Sequence, residues 1–377
     1  MPPIVEKSQA AAPLGAETIR RVERVATEKA IPLFAHLDLT YRCDLRCVHC
    51  YLDEYQSQGL DTAQVLRILD QLADAGTLFV TFSGGEVFVR KDLFEILRHA
   101  RRRNFFITLK THGGRITPAI ADQMAQLKVN LTMFSVYSLD PAVHDAITTR
   151  KGSLARTMRG IALLRERGLK ARIAAPIMGD NFVGYRELFE HFSAQGIEVE
   201  LGTYIMKTRQ GFGSQSHTDL TDEQVREIYG FIQHHPVAPG VYKSLARGYK
   251  CMAGVKSLYI DPMGGVHPCP MWARPLGDLR SRDFDAIWNN DGIRSWRRLY
   301  ERDDLASCPA ANLTESGDIF VTSERSTKFL RVVDEFMPVR REPEPASPSS
   351  ADPRPVESSP SGAKADAPCG KGCGCAG

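Results

Sequence analysis

Cys43, Cys47 and Cys50 stand in one short loop, with three residues and then two residues between them, directly after the apolar run 37–40. Spacings this short leave little slack, so three thiolates can close on one metal centre. Soft thiolates suit iron, and an iron–sulfur cube held at three corners keeps one iron open. Three buried thiols without a metal, or a structural zinc site, would use the same residues. Zinc sites usually close with four ligands from paired Cys-x-x-Cys knuckles, and no second knuckle follows.

The chain around this loop has a strong rhythm. From residue 35 to about 235, short apolar runs alternate with amphipathic stretches of helical period. Strands are predicted at 36–40, 78–82, 105–110, 131–136, 171–177 and 198–205. Helices are predicted at 61–76, 93–102, from 117 onward, and at 153–167, 185–194 and 221–233. Asp61 is a good N-cap with Gln64 in the capping-box position, Val65, Leu69 and Leu72 form an inner face, and Gly76 stops the helix. Thr117 and Pro118 supply another N-cap and first-turn proline. Six such units predict an α/β fold, a parallel sheet wrapped by helices, with sites at the C-terminal ends of strands. The cysteine loop follows the first strand, as that rule requires. A closed eight-stranded barrel needs two more units than the chain supplies, so the expectation is an open, partial (β/α)6 barrel.

Three other strand ends carry suggestive residues: Ser83-Gly84-Gly85-Glu86, Thr111-His112-Gly113 and Ser135-Val136-Tyr137. Each has an ordinary reading as a turn or as a hydroxyl satisfying buried backbone. Together with the cysteine spacing, however, they resemble the radical S-adenosylmethionine (SAM) superfamily. The resemblance implies a [4Fe-4S] cluster on Cys43, Cys47 and Cys50, whose open iron is chelated by SAM. Reductive cleavage of SAM then gives methionine and a 5′-deoxyadenosyl radical that abstracts a substrate hydrogen. It further implies His49 against the adenine, Gly84, Gly85 and Glu86 around the SAM amino group, Thr111 near SAM and Ser135 on its carboxylate. Val87 stands where a proline is common, and the fifth strand, with Arg172, shows no clear version of the adenine-binding pattern. His144, Asp145, Arg150, Lys207 and Arg209 are polar residues placed where they could face a substrate. Met178, Met206 and the pair Phe105-Phe106 are expected in the core.

After residue 236 the pattern changes. Cys251 leads into an apolar run, then Asp261-Pro262-Met263-Gly264-Gly265, a hairpin turn, then Cys269. A helical stretch at 284–300 with Trp288 and Trp296 precedes Cys308. This half, with its Gly277-Asp278-Leu279 segment, resembles the SPASM or shortened twitch domains of radical SAM maturases. The resemblance implies an auxiliary [4Fe-4S] cluster on Cys251, Cys269 and Cys308, and three separately buried thiols are the alternative. A full SPASM domain has further closely spaced cysteines. Here none follows Cys308 until the tail, which argues against a second auxiliary cluster and leaves one auxiliary iron open.

The expected domains are an N-terminal extension at 1–34, the partial barrel at 35–235, the auxiliary-cluster domain at 236–340 and a disordered tail at 341–377. The tail is Pro/Ser-rich and ends in Cys369, Cys373 and Cys375 among glycines. Hydrophobic content of 43% and charged content of 25% are ordinary for a globular protein, and a net charge of +3 argues for neither nucleic acid nor an anionic membrane. Nine cysteines without an export signal suggest reduced thiols and a cytoplasmic location.

The expected function is radical SAM modification of a ribosomally made peptide by crosslink, oxidation or epimerisation. Epimerisation is weakened because no unassigned thiol remains in the folded part to donate hydrogen. A radical SAM step on a small molecule is the alternative within enzymes. An iron–sulfur carrier or redox sensor is the alternative outside them, and it has no need of Glu86 after Gly84-Gly85. An electron donor such as flavodoxin or ferredoxin is implied. The N-terminal segment is too short for a peptide-recognition module, so such a module would be a separate protein.

Overall fold

The computed structural model describes residues 15–52, 54–57, 59–203, 205, 219–235, 251–301, 307–322 and 324–336. Lys207, Arg209, Met206 and the tail cysteines Cys369, Cys373 and Cys375 lie outside them.

Helix α1 (Gly15–Glu28) leads into strand β1 (Phe34–Asp38). Five further units follow: α2 (Thr62–Asp74) with β2 (Phe79–Ser83), α3 (Leu93–Arg102) with β3 (Phe106–Thr111), α4 (Pro118–Gln126) with β4 (Leu131–Ser135), α5 and α6 (Pro141–Thr148, Ser153–Arg165) with β5 (Ala171–Pro176), and α7 (Tyr185–Ser193) with β6 (Glu198–Gly202). Helix α8 (Asp222–His234) closes the alternation. Local chemistry fixes many of these boundaries. Asp61 and Gln64 form a complete capping box, and Thr117 caps α4 ahead of its proline.

The sheet does not stop where the alternation does. β7 (Ser257–Ile260) pairs in parallel with β1, placing Leu258 beside Ala35 and Tyr259 beside His36. β8 (Gly265–His267) and β9 (Gly277–Asp278) continue antiparallel, so the sheet runs β6-β5-β4-β3-β2-β1-β7-β8-β9. The expected hairpin is therefore the edge extension of the main sheet. Asp261 builds its turn by accepting from the backbone N–H groups of Met263 (2.8 Å) and Gly265 (2.9 Å).

Alternation along each strand divides the sheet into two faces. Ala35, Leu37, Val80, Phe82, Ile107, Leu109, Phe134, Ile173, Val199 and Leu201 pack under the helices in one apolar core. The opposite face carries His36, Asp38, Lys110, Ser135, Arg172 and Glu200, and it is this face that an open barrel offers to ligands. Phe105 is core as expected. Phe106 is not: it stays 39% exposed on the second face, its ring 5.5 Å from Phe79, which in turn stacks on Phe34 at 4.8 Å.

Residues 284–300, expected as one helical stretch, form two helices, α9 (Phe284–Trp288) and α10 (Asp291–Glu301). Asn290 makes the break, accepting from Ile293 N–H at 2.9 Å and donating to the Leu276 carbonyl at 2.7 Å. The short helix α5 and the C-terminal α11 (Pro309–Ser316) and α12 (Glu324–Phe336) were not expected from the sequence.

Candidate active site

The cysteine loop leaves β1 at the C-terminal edge of the sheet and packs against the turn that leaves β2. A Cβ on Gly84 would lie 2.2 Å from the Thr40 carbonyl oxygen, and one on Gly85 would lie 2.4 Å from that of Arg42. Gly84 also has φ +124°, where side chains are strained. The two glycines thus let one loop seat on another. Gly85 N–H donates to Thr40 at 2.8 Å and Glu86 N–H donates to Arg42 at 2.9 Å.

Glu86 is wholly buried, and its carboxylate is set by fixed donors. Thr111 Oγ1 lies 2.8 and 2.9 Å from its two oxygens, and the backbone N–H groups of Phe88 and His112 donate at 3.1 Å each. The His112 ring sits between two acids, with Nε2 3.1 Å from Glu86 and 3.0 Å from Asp44. Burial opposes protonation of His112, but the Glu86 and Asp44 charges outweigh it and raise its pKa. Asp44 is held well below the usual carboxylate range by its His112 hydrogen bond, aided by Arg115. Arg150 reaches the same acid and the Asp44 carbonyl. Arg150 therefore braces the cysteine loop.

The other polar candidates resolve differently. His144 is buried on α5, where Nδ1 accepts the Tyr137 backbone N–H at 3.3 Å, and burial pushes its pKa down to about 4. Asp145 caps the turn into α6, accepting from Gly152, Ser153 and Leu154. Both are engaged in local structure. Met178 is buried beside Tyr137, Ile147, Cys47 and Val48, in a small cluster under the cysteine loop.

The thiols of Cys43, Cys47 and Cys50 are close enough that charge on one raises the pKa of another. Burial, with repulsion from neighbouring carboxylates and thiols, pushes Cys43 and Cys47 up to about 12, and burial with the Asp38 charge raises Cys50. Cys251, Cys269 and Cys308 repeat the pattern: burial first, then neighbouring thiols, raises Cys269 and takes Cys308 up to about 11. None of the six forms a disulfide. Backbone N–H groups already point at these sulfurs: Leu45 at Cys43 (3.4 Å), Ala253 at Cys251 (3.5 Å), Met271 and Trp272 at Cys269, and the α11 amides of Ala310 and Ala311 at Cys308. Three converging thiols in each place, costly to ionise unaided yet surrounded by donors that suit thiolates, match a cationic iron–sulfur core.

A place for SAM is also readable. His49 Nδ1 is buried with no hydrogen-bond partner among the described residues, its ring lies edge-on to Tyr137 with centroids 4.8 Å apart, and burial lowers its pKa to about 4. A neutral imidazole with an unsatisfied nitrogen fits beside a nucleobase. Ser135, at the end of β4, is within hydrogen-bonding reach of the Tyr137 phenol, which also reaches Cys47. A cleft of about 840 Å³ opens beside Cys43 between Arg42, Tyr55, Arg90 and Arg115.

The sequence missed the polar stitch between the two thiol groups. Tyr51, next to Cys50, and Tyr259, on β7, both donate to Asp38 Oδ2 at 2.7 Å. His36 Nε2 lies 3.2 Å from the other oxygen. Burial alone would raise the Asp38 carboxyl, but these donors outweigh it and hold it low. On the far side, His267 bridges Asp261 (2.9 Å) and the Trp272 carbonyl (2.7 Å), fixing the strand end two residues before Cys269. An acid and a histidine two apart on a strand share a face, which was the available signal for Asp38.

Known proteins fit this arrangement. The radical SAM superfamily model matches residues 37–193, and that of an iron–sulfur cluster-binding domain, SPASM, matches residues 251–310. The PqqA peptide cyclase of Xanthomonas axonopodis pv. citri is 31% identical over 282 residues, 69% of this chain and 74% of that protein. The antilisterial bacteriocin subtilosin biosynthesis protein AlbA of Bacillus subtilis is 28% identical over 322 residues, 81% of this chain and 71% of that protein. Among solved structures, anSMEcpe with bound AdoMet and Cp18Cys peptide shares the fold, with TM-score 0.65 and 12% identity, over 81% of this chain and 96% of that one. The chain belongs to the radical SAM superfamily and carries a SPASM domain in its C-terminal half. It is an enzyme whose cofactors are a [4Fe-4S] cluster, SAM and an auxiliary iron–sulfur cluster.

Proposed function

We propose that the chain modifies a ribosomally made peptide, forming a crosslink or oxidising a residue. The observation that carries this reading is two separate triads of half-buried thiols set in the segments around one continuous sheet. Relatives with both domains include a peptide cyclase and a bacteriocin biosynthesis protein. Cys43, Cys47 and Cys50 hold the SAM-binding cluster, and Cys251, Cys269 and Cys308 hold the auxiliary one. A [4Fe-4S] cluster held by Cys43, Cys47 and Cys50 would supply the electron for reductive cleavage of bound SAM and so hydrogen-abstracting radical chemistry.

The protein's own residues do the positioning. Glu86, held by Thr111 and His112, presents an already oriented carboxylate that accepts hydrogen bonds from the SAM ammonium. Ser135 donates toward the SAM carboxylate, and the unpartnered Nδ1 of His49 meets the adenine. The residues closing each end of Asp38 keep the two triads at a fixed spacing. The domains are taken as residues 35–235 and 236–340, with extensions at 1–34 and 341–377. The electron comes from a partner such as flavodoxin or ferredoxin, the peptide is recognised by a separate protein, and the reaction takes place in the cytoplasm.

The test is anaerobic release of 5′-deoxyadenosine from SAM by the reduced, reconstituted protein, with and without candidate precursor peptides. Release accompanied by a mass change of the peptide is the expected result. Release with every peptide left unchanged would move the reading to a small-molecule substrate. No release from protein with its clusters intact would remove SAM chemistry altogether.

A further inference from the structure

Beside the place assigned to SAM, the open face of the sheet carries Glu200 among small residues. Strand register puts Ser135 on β4, Ala174 on β5 and Glu200 on β6 in one row across the sheet. Neighbouring strands lie roughly 4.8 Å apart, so Glu200 sits about 10 Å from Ser135 with only a methyl group between them. The next row is Pro176 and Gly202. A Cβ on Gly202 would find nothing nearer than Pro176 Cα at 3.8 Å among the described residues, so packing there does not demand glycine. Small residues on both sides leave room above Glu200.

Glu200 is half-buried and, among the described residues, has no hydrogen bond or ion pair. The nearest guanidinium is taken: Arg172 Nε donates to Glu198 Oε2 at 2.8 Å, with a second contact from the same fork. Lys110, on β3, is exposed on this face and acts on Glu200 only at a distance. Burial raises the Glu200 pKa, with Lys110 and Arg172 acting against it from a distance. A desolvated acid without a partner is costly, and a cation entering from a ligand would offset that cost.

We propose that Glu200 forms the floor of a subsite for a cationic side chain, a lysine ammonium or an arginine guanidinium, next to the residue being modified. The aliphatic stem lies over Ala174, Pro176 and Gly202, and the carboxylate meets the charged end. Lys110 lies on the same face one row toward the N-terminal ends of the strands, level with Met133, Arg172 and Glu198. Charge selection at this position thus sets which peptide residue is presented. This inference rests on the peptide reading above and adds a specificity determinant to it.

The test uses full-length protein, reconstituted anaerobically and loaded with SAM. Binding is read by fluorescence anisotropy with three pools of labelled nonapeptides, each with randomised flanks and a fixed central lysine, norleucine or glutamate. The wild type is expected to bind the lysine pool at least about tenfold tighter than the norleucine pool. Glu200→Gln should reduce that preference to within about twofold, and Glu200→Lys should transfer it to the glutamate pool. Such an inversion cannot arise from misfolding. Equal wild-type binding of all pools, or a lysine preference that survives both substitutions, would overturn the subsite while leaving a peptide substrate intact. Binding of no pool, by wild type that still releases 5′-deoxyadenosine, would overturn the subsite, while the peptide reading stands or falls separately on the mass change of a full precursor peptide.

Discussion

Glu86 is the residue on which most of the site converges. Its carboxylate takes a hydroxyl, two backbone N–H groups and one side of an imidazole, so it is oriented before any ligand arrives. Thr111 is the donor shared by both oxygens. Thr111→Val removes it with little change of shape, and loss of one charge-assisted hydrogen bond is worth about 1.5–3 kcal/mol. SAM affinity measured by anaerobic titration should fall roughly tenfold or more, with iron content unchanged. Glu86 and Thr111 were legible because they sit in short motifs at strand ends. The Asp44–His112 bridge was not, because its partners are distant in sequence and each looks like ordinary loop polarity alone. His144 gives a pH-dependent prediction. Its folded pKa of about 4 lies below the ordinary histidine value, so its stabilising effect is full above about pH 6.5 and is lost as pH falls toward 4. At pH 5 this loss amounts to about 2 kcal/mol. Urea melts of apoprotein at pH 7 and pH 5 should show a smaller drop for His144→Asn than for wild type by about that amount.

Among the elements, those with local start signals were the most legible. Asp61 with Gln64, and Thr117 with Pro118, place helix starts through contacts spanning three residues or fewer. Helix α5 was overlooked because it is eight residues long and follows a strand end where exposed function is usual. The division of α9 from α10 depends on Asn290 meeting Leu276, a contact that sequence period does not carry. Loop on loop, the close seat of Gly84 against Thr40 is decisive. Gly84→Ala meets both a positive φ and a carbonyl in the way, and should cost more than about 2 kcal/mol. Iron at the first cluster should fall with it, read as loss of the SAM-responsive signal in electron paramagnetic resonance. The equivalent change at Gly168, which has φ +68° but nothing within 4 Å, should leave that signal in place.

For the whole molecule, the six-unit alternation gave away the partial barrel, since period and helix caps repeat along the chain. The joining of β7 to β1 was hidden, because a parallel partner more than two hundred residues away leaves no local trace. That pairing, with Tyr51 and Tyr259 on one carboxylate, ties the auxiliary thiols to the catalytic loop. The central claim is two clusters held by two thiol triads. It is tested most directly by iron and sulfide per chain after anaerobic reconstitution of the wild type and of Cys251→Ala/Cys269→Ala. The account predicts about eight irons falling to about four, with the SAM-binding cluster retained. About four irons in both proteins would contradict it, leaving Cys251, Cys269 and Cys308 as free thiols and restoring a thiol hydrogen donor to the chemistry.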